Sequence, residues 1–535
     1  MNTVTVVLLS IFIAILMVEN YGYGYWMISR PVVGGAIVGL LMGDITTGLI
    51  VGGSVELMYM GILPIGGSVP PNAQIAGMLS TVFAIANGGN PEIGIALALP
   101  IGMLAQILIM LAWNINIFLM HIADKYLQKG EIRKVELIHL SGLITFFIVF
   151  FIPTFLAINF GSEYVNQVVN SMPAVLVEGL KVASGILPAV GMAMLLKMMN
   201  FKKYWSFFLI GFVFAVYFKI NVLAVSLIGV GIAAAVFTLR GDSKKAEADD
   251  FDDFDDEEEE IEDPMKNVGG ILTKKELVKT YIRSFFSMTS INYERYTSLG
   301  FCYAMIPALK KLYPNQEDLH EALLRHNEFF NCHPYTGNAI LGVSLALEEQ
   351  KAMGKPITAE AISSAKAALM GPLSGIGDSI FKATFMTIFA AIGAGMALEG
   401  NVLGPVVFLV PNVALNVLSR WYFIKYGHKL GTSLVAKMKS TDILEKFVEG
   451  ATIVGMMVVG AMIVSFVKIN IAYVWVFGGK EIVVQDLINS IIPSLLPVLV
   501  VLGFYNILKK NKKGMYICVL ASFILGILGK AIGMF

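Results

Sequence analysis

The chain has 535 residues, of which 56% are apolar and only 15% carry a charge. Soluble domains carry about 25% charged residues, so this composition excludes an ordinary soluble enzyme and indicates a protein embedded in a lipid bilayer. Acids and bases balance at 39 each, but thirteen of the acids lie between residues 247 and 263. The rest of the chain is basic, which favours an anionic membrane surface as partner and not nucleic acid.

Uncharged stretches recur from residue 4 to residue 529. Several reach the roughly 20 residues that a helix needs to cross a bilayer, beginning with a first segment that we expect to stay in the membrane. Others are short and interrupted by glycine and proline, which favours broken or re-entrant helices over a bundle of simple spans. The predicted fold class is therefore an all-α, polytopic helical membrane protein with broken or re-entrant helices.

In the first half, residues 31–91 are rich in glycine and contain only two charges, Asp44 and Glu56, with no base among them to pair with either. The Pro-Pro-Asn sequence at 70–72 forbids a continuous helix there. Free backbone groups at a broken helix, with carboxylates or amides beside them, can bind a hydroxyl-rich ligand. We predict that Glu56 and Asn72 bind the substrate, whereas Asp44 is equally well explained as a helix cap.

An acidic block, ADDFDDFDDEEEEIEDP at 248–264, divides the chain. Its like charges repel one another and cannot bury apolar surface. We predict an extended acidic linker over residues 241–269 between two membrane domains, 1–240 and 270–535. A docking site for a basic partner is the alternative role for this block.

In the second half, residues 285–309 are long enough to span the membrane, with Glu294 and Arg295 near their middle. A buried charged pair is costly unless each member is hydrogen-bonded or faces water, so a structural ion pair is one interpretation. A sugar site is the other. Carboxylates and amides bind hydroxyl groups, and an aromatic ring packs on the C–H face of a hexose. We predict Asn292, Tyr293 and Glu294 as substrate-binding residues.

Three glycines at 371–377 precede Asp378, the last predicted substrate-binding residue. A Walker lysine-serine pair is missing, so a re-entrant membrane hairpin is favoured over a nucleotide loop. Three cysteines and six histidines are scattered without the spacing of a metal site or a disulfide framework. We predict no metal, no cofactor and no catalytic residue in this chain.

The segments GLLMGDITTGLIVGGSVELMYMG and VPPN, within 39–72, resemble the enzyme IIC subunit of mannose, fructose and sorbose phosphotransferase (PTS) permeases. The stretches 291–314, 326–350, 369–381 and 449–464 resemble the enzyme IID subunit of the same family. The resemblance implies two halves alike in fold and opposed in membrane orientation. It also implies a homotrimer of IIC–IID units, an elevator-like transport movement, and soluble IIA and IIB partners that pass phosphate to the arriving sugar.

Within this resemblance, Glu56 and Asn72 match the core of the IIC pattern. Residues 292–294 occupy the IID stretch that usually reads Trp-Asn-Phe-Glu-Arg, with Ile291 in place of the tryptophan, and Asp378 falls in the glycine-rich IID loop. The predicted function is uptake of a hexose or amino-hexose through the bacterial cell membrane, with phosphoryl transfer carried out by IIB. A secondary sugar transporter driven by an ion gradient is the alternative, and the identity of the sugar stays open.

Overall fold

The computed structural model describes residues 2–61, 70–171, 173–198, 201–220, 222–246, 271–431, 442–477, 480–511 and 514–535. Helices make up nearly all the regular structure in these ranges, beside one antiparallel β-hairpin of four-residue strands. The predicted all-α fold class is confirmed. Most of the predicted acidic linker lies outside the described residues.

The first half is a run of helices that differ widely in length. They are α1 (Thr3–Tyr21), α2 (Pro31–Met42), α3 (Ile45–Tyr59), α4 (Ala73–Ala86), α5 (Pro91–Gln128), α6 (Ile132–Ser171), α7 (Ala174–Ile186), α8 (Pro188–Met198), α9 (Phe201–Tyr217) and α10 (Val222–Ala246). Helix α10 continues past the predicted domain boundary at residue 240.

The second half has a similar mixture of long and short helices. They are α11 (Lys274–Ser284), α12 (Ser298–Leu312), α13 (Gln316–His326), α14 (Gly337–Ala352), α15 (Ala359–Gly377), a π-helix (Asp378–Met386), α16 (Thr387–Leu398), α17 (Leu403–Leu430) and α18 (Asp442–Phe466). Then follow β1 (Val474–Phe477), β2 (Lys480–Val483), α19 (Val484–Ile491), α20 (Leu495–Lys510) and α21 (Gly514–Ala531).

Five helical segments in the described part of the chain are long and apolar enough to cross a membrane. They are Thr3–Tyr21, Pro91–Gln128, Ile132–Gly161, Ala359–Leu398 and Leu403–Lys429. Helices α19 and α20 qualify together as a sixth, although a bend of 78° separates them. Among the shorter apolar helices are α2, α3 and α4, so broken helices are present as the glycine and proline pattern predicts.

Local sequence explains where these short helices begin and end. Helix α2 begins at Pro31 and ends at Gly43, which takes the left-handed backbone conformation that glycine tolerates best. The Asp44 side chain then caps α3 by accepting a hydrogen bond from the Thr47 amide at 3.0 Å. Asp44 is therefore a helix cap, one of the two roles considered for it, and the geometry follows directly from the residue types.

Helices α2 and α3 pack closely because small residues face each other. A Cβ atom added at Gly48 would lie 2.5 Å from the Gly35 carbonyl oxygen, and one added at Gly39 would lie 2.8 Å from the Gly48 Cα. Both helices carry glycines four residues apart, the spacing that lets membrane helices approach backbone to backbone. The glycine-rich sequence thus builds a tight helical hairpin.

Two sequence-based expectations for the second half are wrong. Residues 285–297 do not continue a membrane-spanning helix: they form turns that precede α12. The glycine-rich segment before Asp378 is not a re-entrant hairpin, because α15, the π-helix and α16 run on as one span, Ala359–Leu398. For residues 285–297 the length of the stretch favoured a membrane element, whereas contacts with the first half, such as the Asn116 side-chain amide that donates to the Ile291 carbonyl at 3.0 Å, accompany the turns.

A buried ionic cluster stabilises the region of α13 and α14, which are not among the candidate spans. Glu348 has no exposed surface and accepts two hydrogen bonds from Arg325, at 2.6 and 3.0 Å. His326 lies 2.7 Å from the same carboxylate, and the Tyr313 hydroxyl donates to it at 2.5 Å. The Lys366 ammonium, on α15, donates to the Arg325 carbonyl at 2.7 Å. This cluster connects α15, the helix that leads to Asp378, to α13 and α14.

Candidate functional site

A cavity of about 180 Å³ lies between the two halves. The first half contributes the end of α1, the segment at 70–74 and α5. The second half contributes residues within 284–291, residues 296 and 297, residues within 330–341 and the π-helix. Polar side chains that line it include Asn20, Tyr21, Arg30, Asn72, Gln74, Trp113, His333, Asn338, Asp378 and Lys382. The cavity therefore needs both halves to be complete.

Within the described part of the chain, several buried polar atoms of the cavity wall have no hydrogen-bond partner. Among them are Asn20 Oδ1, Trp113 Nε1, His333 Nε2 and Asn338 Oδ1. An unsatisfied buried polar group costs about 1–3 kcal/mol, so a cluster of them in one cavity indicates a bound polar molecule. The set contains an indole donor, amide oxygens and an imidazole nitrogen, which suits a ligand carrying several hydroxyl groups.

The structure places Asn72, a predicted site residue, in the wall of the cavity. Its side-chain oxygen caps α4 by accepting from the Ile75 amide at 2.7 Å, and its side-chain amide points to the Tyr21 hydroxyl at 3.4 Å. Its backbone N–H donates to the Gly102 carbonyl at 2.8 Å. Asn72 therefore holds the helix break in place while its amide group remains at the cavity.

Asp378 also lines the cavity, at the start of the π-helix. Lys382 lies one turn later, and its ammonium is 2.9 Å from Asp378 Oδ1. π-helical turns occur often at functional sites because they shift the direction of the side chains that follow. Here Asp378, Lys382 and Met386 all face the cavity. The wall thus presents a negative and a positive group side by side.

Glu56 lies behind the cavity wall. It is fully buried and forms a salt bridge with Arg30, which does line the cavity, and its second oxygen accepts from the Val32 amide at 3.3 Å. The expectation that no base pairs with Glu56 is wrong, because Arg30, at the N-terminal edge of the glycine-rich stretch, supplies one. Glu56 does not contact the cavity itself. It orients the guanidinium group of Arg30, which does line the cavity.

Residues 292–294 lie near the cavity without lining it. Asn292 is buried and its side-chain oxygen accepts from the backbone amides of Glu294 and Arg295, at 3.0 and 2.9 Å, so it shapes the turn. Tyr293 is 37% exposed and packs on Trp113 with ring centroids 4.9 Å apart. Tyr293 therefore does not line the cavity itself but packs against Trp113, which does.

Glu294 and Arg295 belong to an ionic cluster that joins the two halves. His121 Nε2 lies 3.0 Å from Glu294, and the Arg295 guanidinium lies 3.1 Å from Asp124. Asn327 also donates to Asp124, at 2.7 Å. The interpretation of Glu294 and Arg295 as structural ion-pair residues thus has a geometric basis, with most partners on α5 of the first half.

Sequence patterns do not single out several residues that complete the cavity: Asn20, Trp113, His333, Asn338 and Lys382. A signal was available for two of them, because His333 and Asn338 lie in the polar IID-like stretch HNEFFNCHPYTGN. Lys382 could have been found from its position four residues after Asp378 in an apolar context. Among the described residues, no group of three His, Cys, Asp or Glu side chains could hold a metal ion.

Comparison with known proteins gives separate matches to the two halves. Residues 3–235 match the profile of the PTS sorbose-specific IIC component, and residues 271–535 match the PTS mannose/fructose/sorbose family IID component. The mannose-specific IID component of Escherichia coli K12 is 40% identical over 270 residues, 49% of this chain and 95% of that protein. The fructose permease IID component of Bacillus subtilis 168 is 40% identical over 264 residues, which cover 48% of this chain and 95% of that protein. The mannose-specific IIC component of Escherichia coli K12 is 34% identical over 211 residues, which cover 39% of this chain and 79% of that protein.

Both halves match components of PTS sugar permeases, so the class of this helical membrane protein is a permease. This chain belongs to the mannose/fructose/sorbose family of the PTS, with a IIC half and a IID half in one polypeptide. It is an integral protein of the inner membrane, and it is a sugar-transport component of its system. Membership in this family implies a sugar substrate and IIA and IIB proteins as partners.

Proposed function

We propose that this permease binds a hexose or amino-hexose in the cavity between its IIC and IID halves and carries it into the cytoplasm. The observation that supports the site is the set of unpaired buried polar atoms from both halves, at Asn20, Trp113, His333 and Asn338. Sugar hydroxyl groups both donate and accept, so one hexose can satisfy donors and acceptors together.

Other residues in and around the cavity have defined roles in this proposal. Asp378 accepts hydrogen bonds from sugar hydroxyls while Lys382 holds its carboxylate in position, and Asn72 offers its amide from the helix break. The Trp113 ring provides an apolar surface for the C–H face of the sugar, supported by Tyr293. Glu56 acts through Arg30, and Asn292 and Glu294 act by holding the turn and the joint between the halves.

The phosphoryl group comes from the partner IIB, which receives it from IIA, and the sugar is phosphorylated as it reaches the cytoplasmic face. This chain supplies binding and positioning. We further propose that the fused units assemble as homotrimers, that the two halves are alike in fold and opposed in orientation, and that transport proceeds by an elevator-like movement. Uptake into proteoliposomes should then require phosphoenolpyruvate with the partner proteins and be independent of an ion gradient.

The binding site is tested by titrating hexoses onto the purified protein, first in a thermal-shift panel and then by calorimetry. Asp378→Asn should weaken binding of the best hexose about 10- to 100-fold, the scale of a hydrogen bond to a charged group. Trp113→Phe keeps an aromatic ring, although a smaller one, but removes the indole N–H, and should weaken binding by up to about tenfold.

The matched control is Trp421→Phe. Trp421 packs on Tyr281 and does not line the cavity, so its replacement should leave hexose affinity unchanged. Equal affinity in Asp378→Asn, Trp113→Phe and the unmodified protein, with all three folded, would place the sugar elsewhere.

A further inference from the structure

The segment between α18 and α20 carries an exposed apolar surface. Tyr473 and Trp475, two residues apart around the start of β1, are 55% and 53% exposed. The hairpin leads directly into α19, in which no residue is buried. Exposed aromatic and aliphatic side chains of this kind, brought together in one short segment, mark an interaction surface.

Helix α19 is amphipathic along its whole length. Its apolar residues follow the i, i+3, i+4, i+7 spacing of one helix face: Val484, Leu487, Ile488 and Ile491. Its polar residues occupy the opposite face: Gln485, Asp486, Asn489 and Ser490. Within that polar face Gln485 donates to Asn489 at 3.1 Å and accepts from the Ile471 amide at 2.8 Å, which fixes the helix to the segment that precedes β1.

The bend of 78° between α19 and α20 sets the orientation of this surface. With α20 as the crossing part of this bent pair, the bend leaves α19 almost in the membrane plane at the end of α20. The other end of α20 carries Lys509 and Lys510. Basic residues favour the cytoplasmic side, so α19 and the β-hairpin lie at the outer surface of the membrane.

We propose that the β-hairpin and α19 form an interfacial anchor, whose ligand is the boundary between lipid headgroups and acyl chains. Tryptophan and tyrosine prefer this depth, and an amphipathic helix lies in it with its apolar face toward the acyl chains. Exposed apolar side chains also occur on the next two helices, which pack against each other, among them Leu499 on α20 and Leu528 on α21. Lipid-facing side chains of this kind on the adjoining helices favour lipid over a second copy of the chain as the occupant.

The anchor is tested with spin labels on the full-length protein in lipid nanodiscs. In a Cys332→Ser background, in which the two remaining thiols are buried, single cysteines replace Leu487 and Ile491 on the apolar face and Asn489 on the polar face. Labels at 487 and 491 should collide more with lipid-soluble oxygen than with an aqueous nickel chelate. The label at 489 should show the opposite preference, and melting temperatures should confirm that each variant is folded.

Two results would overturn the proposal. Equal, high accessibility of all three labels to the nickel chelate would place α19 in water. Strong dipolar coupling between labels at 487 in different copies, with low accessibility to both reagents, would show that the face is covered by a second chain. The choice of two apolar-face positions guards against a local disturbance by one label.

Discussion

The carboxylate of Glu348 offers the sharpest test of how the region of α13 and α14 is held together. We predict that Glu348→Gln destabilises this region strongly, because the substitution leaves Arg325 as an uncompensated buried charge. The amide keeps the shape of the side chain and one acceptor oxygen. The loss therefore reports on charge and not on packing.

The magnitude can be worked out in two ways. Burial opposes ionisation of Glu348, but hydrogen bonds from His326 and Arg325 outweigh it and lower the pKa of Glu348 to about 2, from an ordinary value of 4.5. At about 1.4 kcal/mol per pH unit, this difference corresponds to about 3 kcal/mol of folding stability. Removing one partner of a buried pair costs about 3–5 kcal/mol, so the two figures agree.

The sign of the pH dependence follows from the lowered pKa. The contribution of Glu348 is fully present above pH 4.5 and is lost as the pH falls from 4.5 toward 2. Acidification in this window should therefore expose the region of α13 and α14 to protease in the unmodified protein. In the Glu348→Gln variant this region should already be exposed to protease at neutral pH. The rate at which protease cleaves the variant should therefore change less between pH 4.5 and 2.

The assay is limited proteolysis in detergent, combined with thermal unfolding at neutral pH. Glu321→Gln is the matched control, because Glu321 is an exposed glutamate on the same helix as Arg325, and its replacement should change stability by less than about 0.5 kcal/mol. Replacing Arg325 and Glu348 together by neutral residues should recover part of the loss. Equal stability of Glu348→Gln and Glu321→Gln would contradict this prediction, and so would a double variant that loses the full sum of both single losses.

Three further predictions test other parts of the molecule. Glu294→Gln should leave hexose affinity unchanged and lower the melting temperature slightly, since Glu294 pairs with His121 at the joint between the halves; a large loss of affinity would return it to the sugar site. Gly48→Ala should impair folding because the new Cβ would lie 2.5 Å from a carbonyl oxygen, whereas Gly371→Ala, with open space around it, should be tolerated in an expression and size-exclusion assay. Replacing residues 248–263 by a Gly/Ser linker of equal length should preserve assembly and uptake, and loss of assembly would show that the acidic block is a docking element.

Local sequence was sufficient for the class of the protein and for much of its helix architecture. Apolar stretches and low charge identify a membrane protein because every residue in such a stretch must tolerate lipid or protein surroundings. The glycines of α2 and α3 and the Asn72 cap act over one or two turns, so their effect can be read directly from the chain. The division into IIC-like and IID-like halves likewise follows from long, continuous motifs.

The composition of the site was decided only by the tertiary structure, because its groups meet across large sequence distances. Glu294 is 3.0 Å from His121, and Trp113 shares a cavity with His333, yet no local pattern connects either pair. Glu56 illustrates the limit most clearly: an isolated carboxylate in an apolar stretch suggests a ligand site, but 26 residues earlier stands the arginine that neutralises it. A sequence shows which charges must find partners in a membrane, and the packing of the two halves determines which partners they find.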